Sequence, residues 1–385
     1  MDIFKTTIEN NLQTFLLYDD LHSDIIELPT KYANSLARKT KFSLKSVEAF
    51  LTDIKYFCQA LKADPAYGKY PVNDALTVVG SRFIEDYLLD LSKEGLNQNT
   101  IHRRDASLKG FFDWLTTAEA GRVRDAKDNP YSDGKLKSRT SHKKIPRYIT
   151  YIEVTEFIKH GFLNESERCM IHFMFDTGIR ISELPRFLKT DLPELKLYPE
   201  DQLYFPLLVK GSKGRGRQFK ERYTMISRPL IQRINRLHNN WETYLDKEQE
   251  YEPMPLFLNL QGNPIQPSAF QKAFQRASKK LMETGVIINS IGPHRLRHGT
   301  AYSILKSDHG EEFLQNLVIT QKALGHSSFK TTEQSYATMP APVIAKMKGE
   351  AENEEIKSRV EESQYIYDNS FKPFRDHKNK RGHRT

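Results

Sequence analysis

From Ser43 onward, apolar residues return at intervals of three and four. Val47, Phe50, Leu51, Ile54, Phe57 and Leu61 share one face of SLKSVEAFLTDIKYFCQALKA. That period predicts an amphipathic helix, with Ser43 as its N-cap. The prolines and glycine of DPAYGKYPVNDAL interrupt it. Two further helical runs follow, SRFIEDYLLDLSKEG ending at Gly95 and NQNTIHRRDASLKGFFDWLTTA beginning after Leu96. Ile101, Leu108, Phe111, Phe112 and Leu115 form the predicted core face of the last run, opposite the cationic His102, Arg103, Arg104 and Lys109. The pattern predicts a small helical domain over 39–120. Residues 1–38 are expected to be an N-terminal extension with some helix and a loop around Pro29.

The period is lost over 121–148, which hold turn formers and the cations Lys135, Lys137, Arg139, Lys143, Lys144 and Arg147. We expect an exposed basic linker there. Thr150 and Glu153 then have the spacing of a capping box. They open a second domain over 149–345, mostly helical with one hairpin. LYFPLLV and QFKERYTMI alternate as strands do, around the basic turn KGSKGRGR, which includes Arg215 and Arg217. This turn is not a P-loop, because GxxxxGK[ST] is absent. ISRPLIQRINRLHNNWETYL and PSAFQKAFQRASKKLMET are read as helices. Residues 346–385 change composition again, from the acidic GEAENEEIKSRVEES, which could form a short helix, to the basic FKPFRDHKNKRGHRT. They are expected to be a flexible tail. The fold class predicted is mainly α with a small β-hairpin, in two domains.

With 58 Lys+Arg against 49 Asp+Glu, the chain has a formal net charge of +9. That excess suits a polyanionic partner without proving one. Cys58 and Cys169 are the only cysteines and form no metal-ligand spacing. The N-terminus lacks an apolar signal core, and no stretch nears the roughly 20 apolar residues of a membrane span. Mean hydropathy is −0.62. A soluble cytoplasmic, nucleoid-associated protein is expected, with no membrane partner, cofactor or metal.

The candidate chemistry lies between Asp176 and Tyr336. In order come Arg180 in DTGIRISEL, the lysines of the basic hairpin, His294 and Arg297 in PHRLRH, His326 in LGH, and Tyr336. Singly, each has an ordinary structural reading, as a capping arginine, a solvated lysine or a partly buried histidine. Together and in this order they are what attack on a phosphodiester requires. Charge builds on the phosphate oxygens, and the planar guanidinium fork meets it with paired donors. His294, three residues before Arg297 on a helix, shares its face and can donate to phosphate or move a proton. Tyr336 is the candidate nucleophile. A phenol with a pKa of about 10 needs a base or a cationic pocket to attack near neutrality. A hairpin lysine can protonate the departing sugar hydroxyl. No step needs a metal.

These motifs resemble the tyrosine recombinase, or phage integrase, family. DTGIRISELPRFLKTDL is similar to its first-arginine motif, with Glu183 at the usual acidic position. PHRLRHGTAYSIL resembles its histidine–arginine box, and ALGHSSFKTTEQSYA its final box. SVEAFLTDIKYFCQAL and NTIHRRDASLKGFFDWL are similar to its core-binding helices. The tyrosine stands one residue later than the family's usual position, which is Ser335 here. Lys210 aligns with the catalytic lysine when the start of the hairpin is matched, and Lys213 is the second choice.

The resemblance implies a helical core-binding domain and a catalytic domain closing as a C-shaped clamp on double-stranded DNA. Arg103, Arg104, Lys109, Lys135, Lys137, Arg139, Lys143, Lys144, Arg215 and Arg217 are the expected phosphate contacts. It implies site-specific recombination by a homo-tetramer on DNA, through a 3′-phosphotyrosyl intermediate, in integration or excision of a mobile element. DNA-bending or directionality factors would assist. A segment beyond the tyrosine would dock on a neighbouring protomer. Two alternatives stand beside this reading: a type IB topoisomerase-like relaxing enzyme, and a DNA-binding accessory protein with a decayed site.

Overall fold

The computed structural model describes residues 1–8, 12–20, 24–39, 41–139, 149–211, 220–247, 250–307, 309, 313–325 and 358–373. They fall into two compact units, the first within Met1–Lys144 and the second beginning at Ile145. The described residues are mainly helical, with a three-stranded and a two-stranded sheet.

The first unit begins with a sheet that the hydrophobic pattern left unassigned. Strands β1 (Asp2–Ile8) and β2 (Leu12–Asp19) form an antiparallel hairpin in the register Asp2↔Tyr18 to Ile8↔Leu12. Strand β3 (Asp24–Ile25) extends it through Tyr18↔Ile25. Phe15 and Leu17 turn into the core. Helix α1 (Glu27–Arg38) covers them, and its Asn34 side chain accepts from Phe15 N and donates to Phe15 O, both at 2.9 Å. The expected loop at Pro29 is instead the first turn of α1, where a missing N–H costs no helical bond.

Helices α2 (Leu44–Ala63), α3 (Val72–Val78), α4 (Ser81–Lys93) and α5 (Gln98–Leu115) complete the bundle. Ser43 caps α2 by accepting from Ser46 N. Val47, Leu51, Ile54, Phe57 and Leu61 are buried, as are Ile101, Leu108, Phe111, Phe112 and Leu115 of α5. The described part of the expected linker, residues 121–139, is largely exposed, as expected, but it is anchored to the first unit at a few buried positions. Tyr131 is buried with its hydroxyl donating to Asp105 at 2.6 Å, and Asp105 also accepts from Ser138 N at 2.7 Å. The buried Asp105 carboxylate needs donors for its oxygens, and Tyr131 and Ser138 supply them, tying the segment to α5.

The second unit is built around α7 (Glu165–Thr177), almost all of which is buried. Before it, α6 (Tyr151–Gly161) opens with the reciprocal Thr150–Glu153 capping box. Strands β4 (Tyr204–Val209) and β5 (Arg222–Ser227) pair antiparallel from Tyr204↔Ser227 to Val209↔Arg222. Helices α8 (Arg228–Asn240), α9 (Glu242–Lys247), α10 (Pro267–Glu283), α11 (Pro293–Lys306) and α12 (Phe313–Leu324) follow. The expected flexible tail contains a docked helix, α13 (Arg359–Ser370), with Ile366 fully buried. Its polar groups meet the unit directly. Ser363 Oγ lies 2.8 Å from His172 Nε2, Arg168 Nη1 donates to Ser370 O at 2.9 Å, and Arg359 Nη2 donates to Asp176 O at 2.6 Å.

Candidate active site

Helix α7 ends at Gly178, whose φ of 65° is the left-handed turn that favours glycine. A Cβ there would lie 2.8 Å from Leu324 Cδ2 and 3.0 Å from Thr300 Cγ2, so this turn closes against two other helices. Two residues on, Arg180 donates to Glu183 from both its backbone N (2.8 Å to Oε2) and Nη1 (2.9 Å to Oε1). Glu183 is buried, whereas the Arg180 side chain is 30% exposed. From β5, Arg222 donates to the same carboxylate with Nη1 at 2.9 Å and Nη2 at 2.8 Å. Burial pushes the Glu183 carboxyl up, but the Arg222 fork and then Arg180 outweigh it and hold the pKa at about 2. Arg180 is thus held by a fixed anion and keeps its side chain partly exposed.

Helix α11 starts on Pro293 and sets His294, Arg297 and His298 on its first turns. Arg297 is buried and donates Nη1 to Gly178 O at 2.5 Å and Nη2 to Leu324 O. Arg222 Nε donates to the preceding carbonyl, Ala323 O, at 3.0 Å. Two arginines therefore grip successive carbonyls at the end of α12, groups that a helix terminus leaves unpaired. His294 is exposed, with its ring 4.5 Å from that of His298. Burial, then the nearby His294 and Arg297 charges, lower the His298 pKa to about 4, so His298 is neutral near neutral pH.

Lys210 follows β4, and its Nζ lies 3.0 and 3.2 Å from the two Asp191 carboxylate oxygens. Asp191 also accepts from Leu188 N at 2.9 Å, and Arg186 Nη1 donates to Gly211 O at 2.6 Å. The structure thus joins Arg180, Glu183 and Arg297 in one lattice. It attaches Lys210 to the loop that follows Glu183. His326, Tyr336, Lys213, Arg215 and Arg217 lie outside the described residues, as do Lys143 and Lys144.

In the first unit, several expected phosphate contacts already have acidic partners. Arg103 donates to the buried Asp53, and the Arg104 guanidinium lies 4.4 Å above the Tyr56 ring. Lys109 pairs with Asp113 at 2.5 Å and Lys137 with Asp133 at 3.1 Å. Lys135 and Arg139 are exposed. Sequence reading missed Arg222 and His298 as site residues. Both lie within quoted motifs, KERYTMI and PHRLRH, but only the folded chain shows Arg222 forked on Glu183.

Two family models match, phage integrase over residues 150–341 and the phage integrase N-terminal SAM-like domain over residues 30–119. The chain belongs to the phage integrase, or tyrosine recombinase, family. It is an enzyme that breaks and rejoins DNA strands. The tyrosine recombinase XerC of Lacticaseibacillus casei is 28% identical over 297 residues, covering 76% of this chain and 88% of that protein. A tyrosine recombinase of Pseudothermotoga lettingae is 26% identical over 304 residues, covering 78% and 90%. Among solved structures, a lambda integrase dimer bound to a core site shares the fold with a TM-score of 0.59 at 15% identity, over 86% of this chain and 99% of that one. The XerH site-specific recombinase bound to its difH substrate gives 0.55 at 18% identity, over 81% of each chain. Residues 1–29, including β1 to β3, precede both family matches. No helix among the described residues is long and apolar enough to cross a membrane.

Proposed function

We propose that this recombinase is site-specific and acts on double-stranded DNA, with Tyr336 as nucleophile, in integration or excision of a mobile element. The observation that carries the reading is the Arg180–Glu183–Arg222 lattice joined through the end of α12 to Arg297. It fixes cationic donors before any substrate arrives, so little reorganisation is needed when charge builds on the phosphate. The Tyr336 oxygen attacks phosphorus as its phenolic proton leaves to a neighbouring base. The bond to the 5′ oxygen breaks, and Lys210 gives that oxygen a proton once released from Asp191. Arg180 and Arg297 stabilise the phosphate, and His294 and His326 add donors. Reversal by another strand's 5′ hydroxyl reseals the backbone without ATP. A homo-tetramer on paired sites at the nucleoid, with accessory factors that bend DNA or set direction, is part of this reading.

Tyr336→Phe removes one oxygen and almost no volume. On a suicide substrate nicked near the cut site, the wild type should accumulate a covalent protein–DNA adduct, and Tyr336→Phe none. Ser335→Ala should cleave normally. An adduct that persists in Tyr336→Phe, or maps elsewhere, removes the assignment. A wild type that forms no adduct would favour the decayed accessory protein, and one that relaxes DNA without two specific sites the topoisomerase-like alternative. The family matches favour neither.

A further inference from the structure

We infer that Arg222 is a positioning residue for strand cleavage, which sets Arg180 and the end of α12 in register with each other. The inference rests on the role proposed for Arg180. Arg222 opens β5 with its side chain only 7% exposed, and it spends three donors on two different elements. Its Nη1 and Nη2 fork onto Glu183, which in turn holds the Arg180 backbone and guanidinium. Its Nε reaches Ala323 O at 3.0 Å, one residue before the carbonyl that Arg297 holds. Gly325 has a φ of 65°, and a Cβ there would collide with the Arg222 side-chain stem, so the turn after α12 is packed on that stem.

Only arginine has the geometry for this. Its donors leave a rigid plane in divergent directions, whereas a lysine ammonium is one point on a flexible stem. Arg222→Lys keeps the positive charge beside Glu183 but cannot also span to Ala323. Neither Arg222 nor Glu183 needs to touch DNA for this effect. A shift of about 1 Å in a catalytic group costs on the order of 100-fold in rate.

The test compares Arg222→Lys, Arg180→Ala and wild type on two suicide substrates. One has an ordinary scissile phosphate, and the other a methylphosphonate, racemic at phosphorus, which has no negative charge there and depends less on a guanidinium. Thermal unfolding and site binding are measured alongside. Arg222→Lys should bind the site within about twofold of wild type and cleave the ordinary phosphate about 10- to 100-fold more slowly. That defect should shrink several-fold on the methylphosphonate, and the Arg180→Ala defect should shrink with it. A general weakening of the fold would slow both substrates alike, and that outcome would overturn the inference, as would wild-type cleavage by Arg222→Lys. If Arg222→Lys does not fold, Gly325→Ala replaces it, since it displaces the Arg222 stem and leaves every charge in place. The same substrate-selective recovery is then expected, and an equal loss on both substrates overturns the inference. If Arg180→Ala itself cleaves at the wild-type rate, the proposed site fails instead.

Discussion

Glu183 shows how one buried carboxylate organises a cationic site. An unpaired charge at such a position would cost several kcal/mol, and removing one partner of a buried pair strands the other. Here two arginines share the anion, and burial works against a depressed pKa without reversing it. The folded-state value of about 2 lies below the ordinary 4.5. Pairing therefore contributes stability that is complete above about pH 4.5 and is lost as pH falls toward 2, a contribution on the order of 3 kcal/mol. Glu183→Gln should be less stable than wild type near neutrality, and the gap should narrow as pH falls through that window. Urea unfolding of both proteins at pH 6, 5, 4 and 3 measures it. A gap that stays constant with pH would mean that the charge of Glu183 is not what holds the lattice.

At the scale of elements, α13 and the β1–β2 hairpin depart furthest from the sequence reading, for opposite reasons. The buried face of α13 is largely polar: Arg359, Glu362, Ser363 and Ser370 surround a single fully buried isoleucine. Apolar periodicity cannot reveal such a helix, because its face is satisfied by partners on distant segments. Glu362, for example, accepts from Ser303 at 2.5 Å and forms an ion pair with Lys306 at 2.6 Å. The hairpin was legible: β-branched and aromatic residues stand on either side of the polar ENN in TTIENNLQTFLLY. If α13 is as integral as its contacts indicate, Ile366→Ala should destabilise the second unit by about 2–5 kcal/mol. Chemical denaturation of the full chain checks this. A loss under about 0.5 kcal/mol would mean that the helix is detached in solution.

For the whole molecule, the proposed function makes DNA affinity an electrostatic quantity. Each phosphate neutralised should steepen the fall of log affinity with log salt by about 0.9. Arg103, Lys109 and Lys137 already have acidic partners, so they must exchange these to meet phosphate, while Lys135 and Arg139 are exposed. Lys135→Ala with Arg139→Ala should then flatten the slope by nearly two phosphates' worth, and Lys109→Ala by less. Fluorescence anisotropy across a salt series decides it, and equal effects from all three positions would show that the internal pairing does not persist in solution. The sequence by itself determined the helical core faces, the Ser43 and Thr150 caps, and the order of Arg180, His294 and Arg297. The first two follow from local periodicity and capping chemistry, and the third is the order of the motifs that carry the proposed phosphate contacts. Only the tertiary structure decided that Arg222 serves Glu183, that residues 121–139 are packed onto the first unit, and that a polar helix near the C-terminus is buried. Each of these depends on charged or polar groups far apart in sequence satisfying one another away from water, and a linear pattern does not encode that pairing.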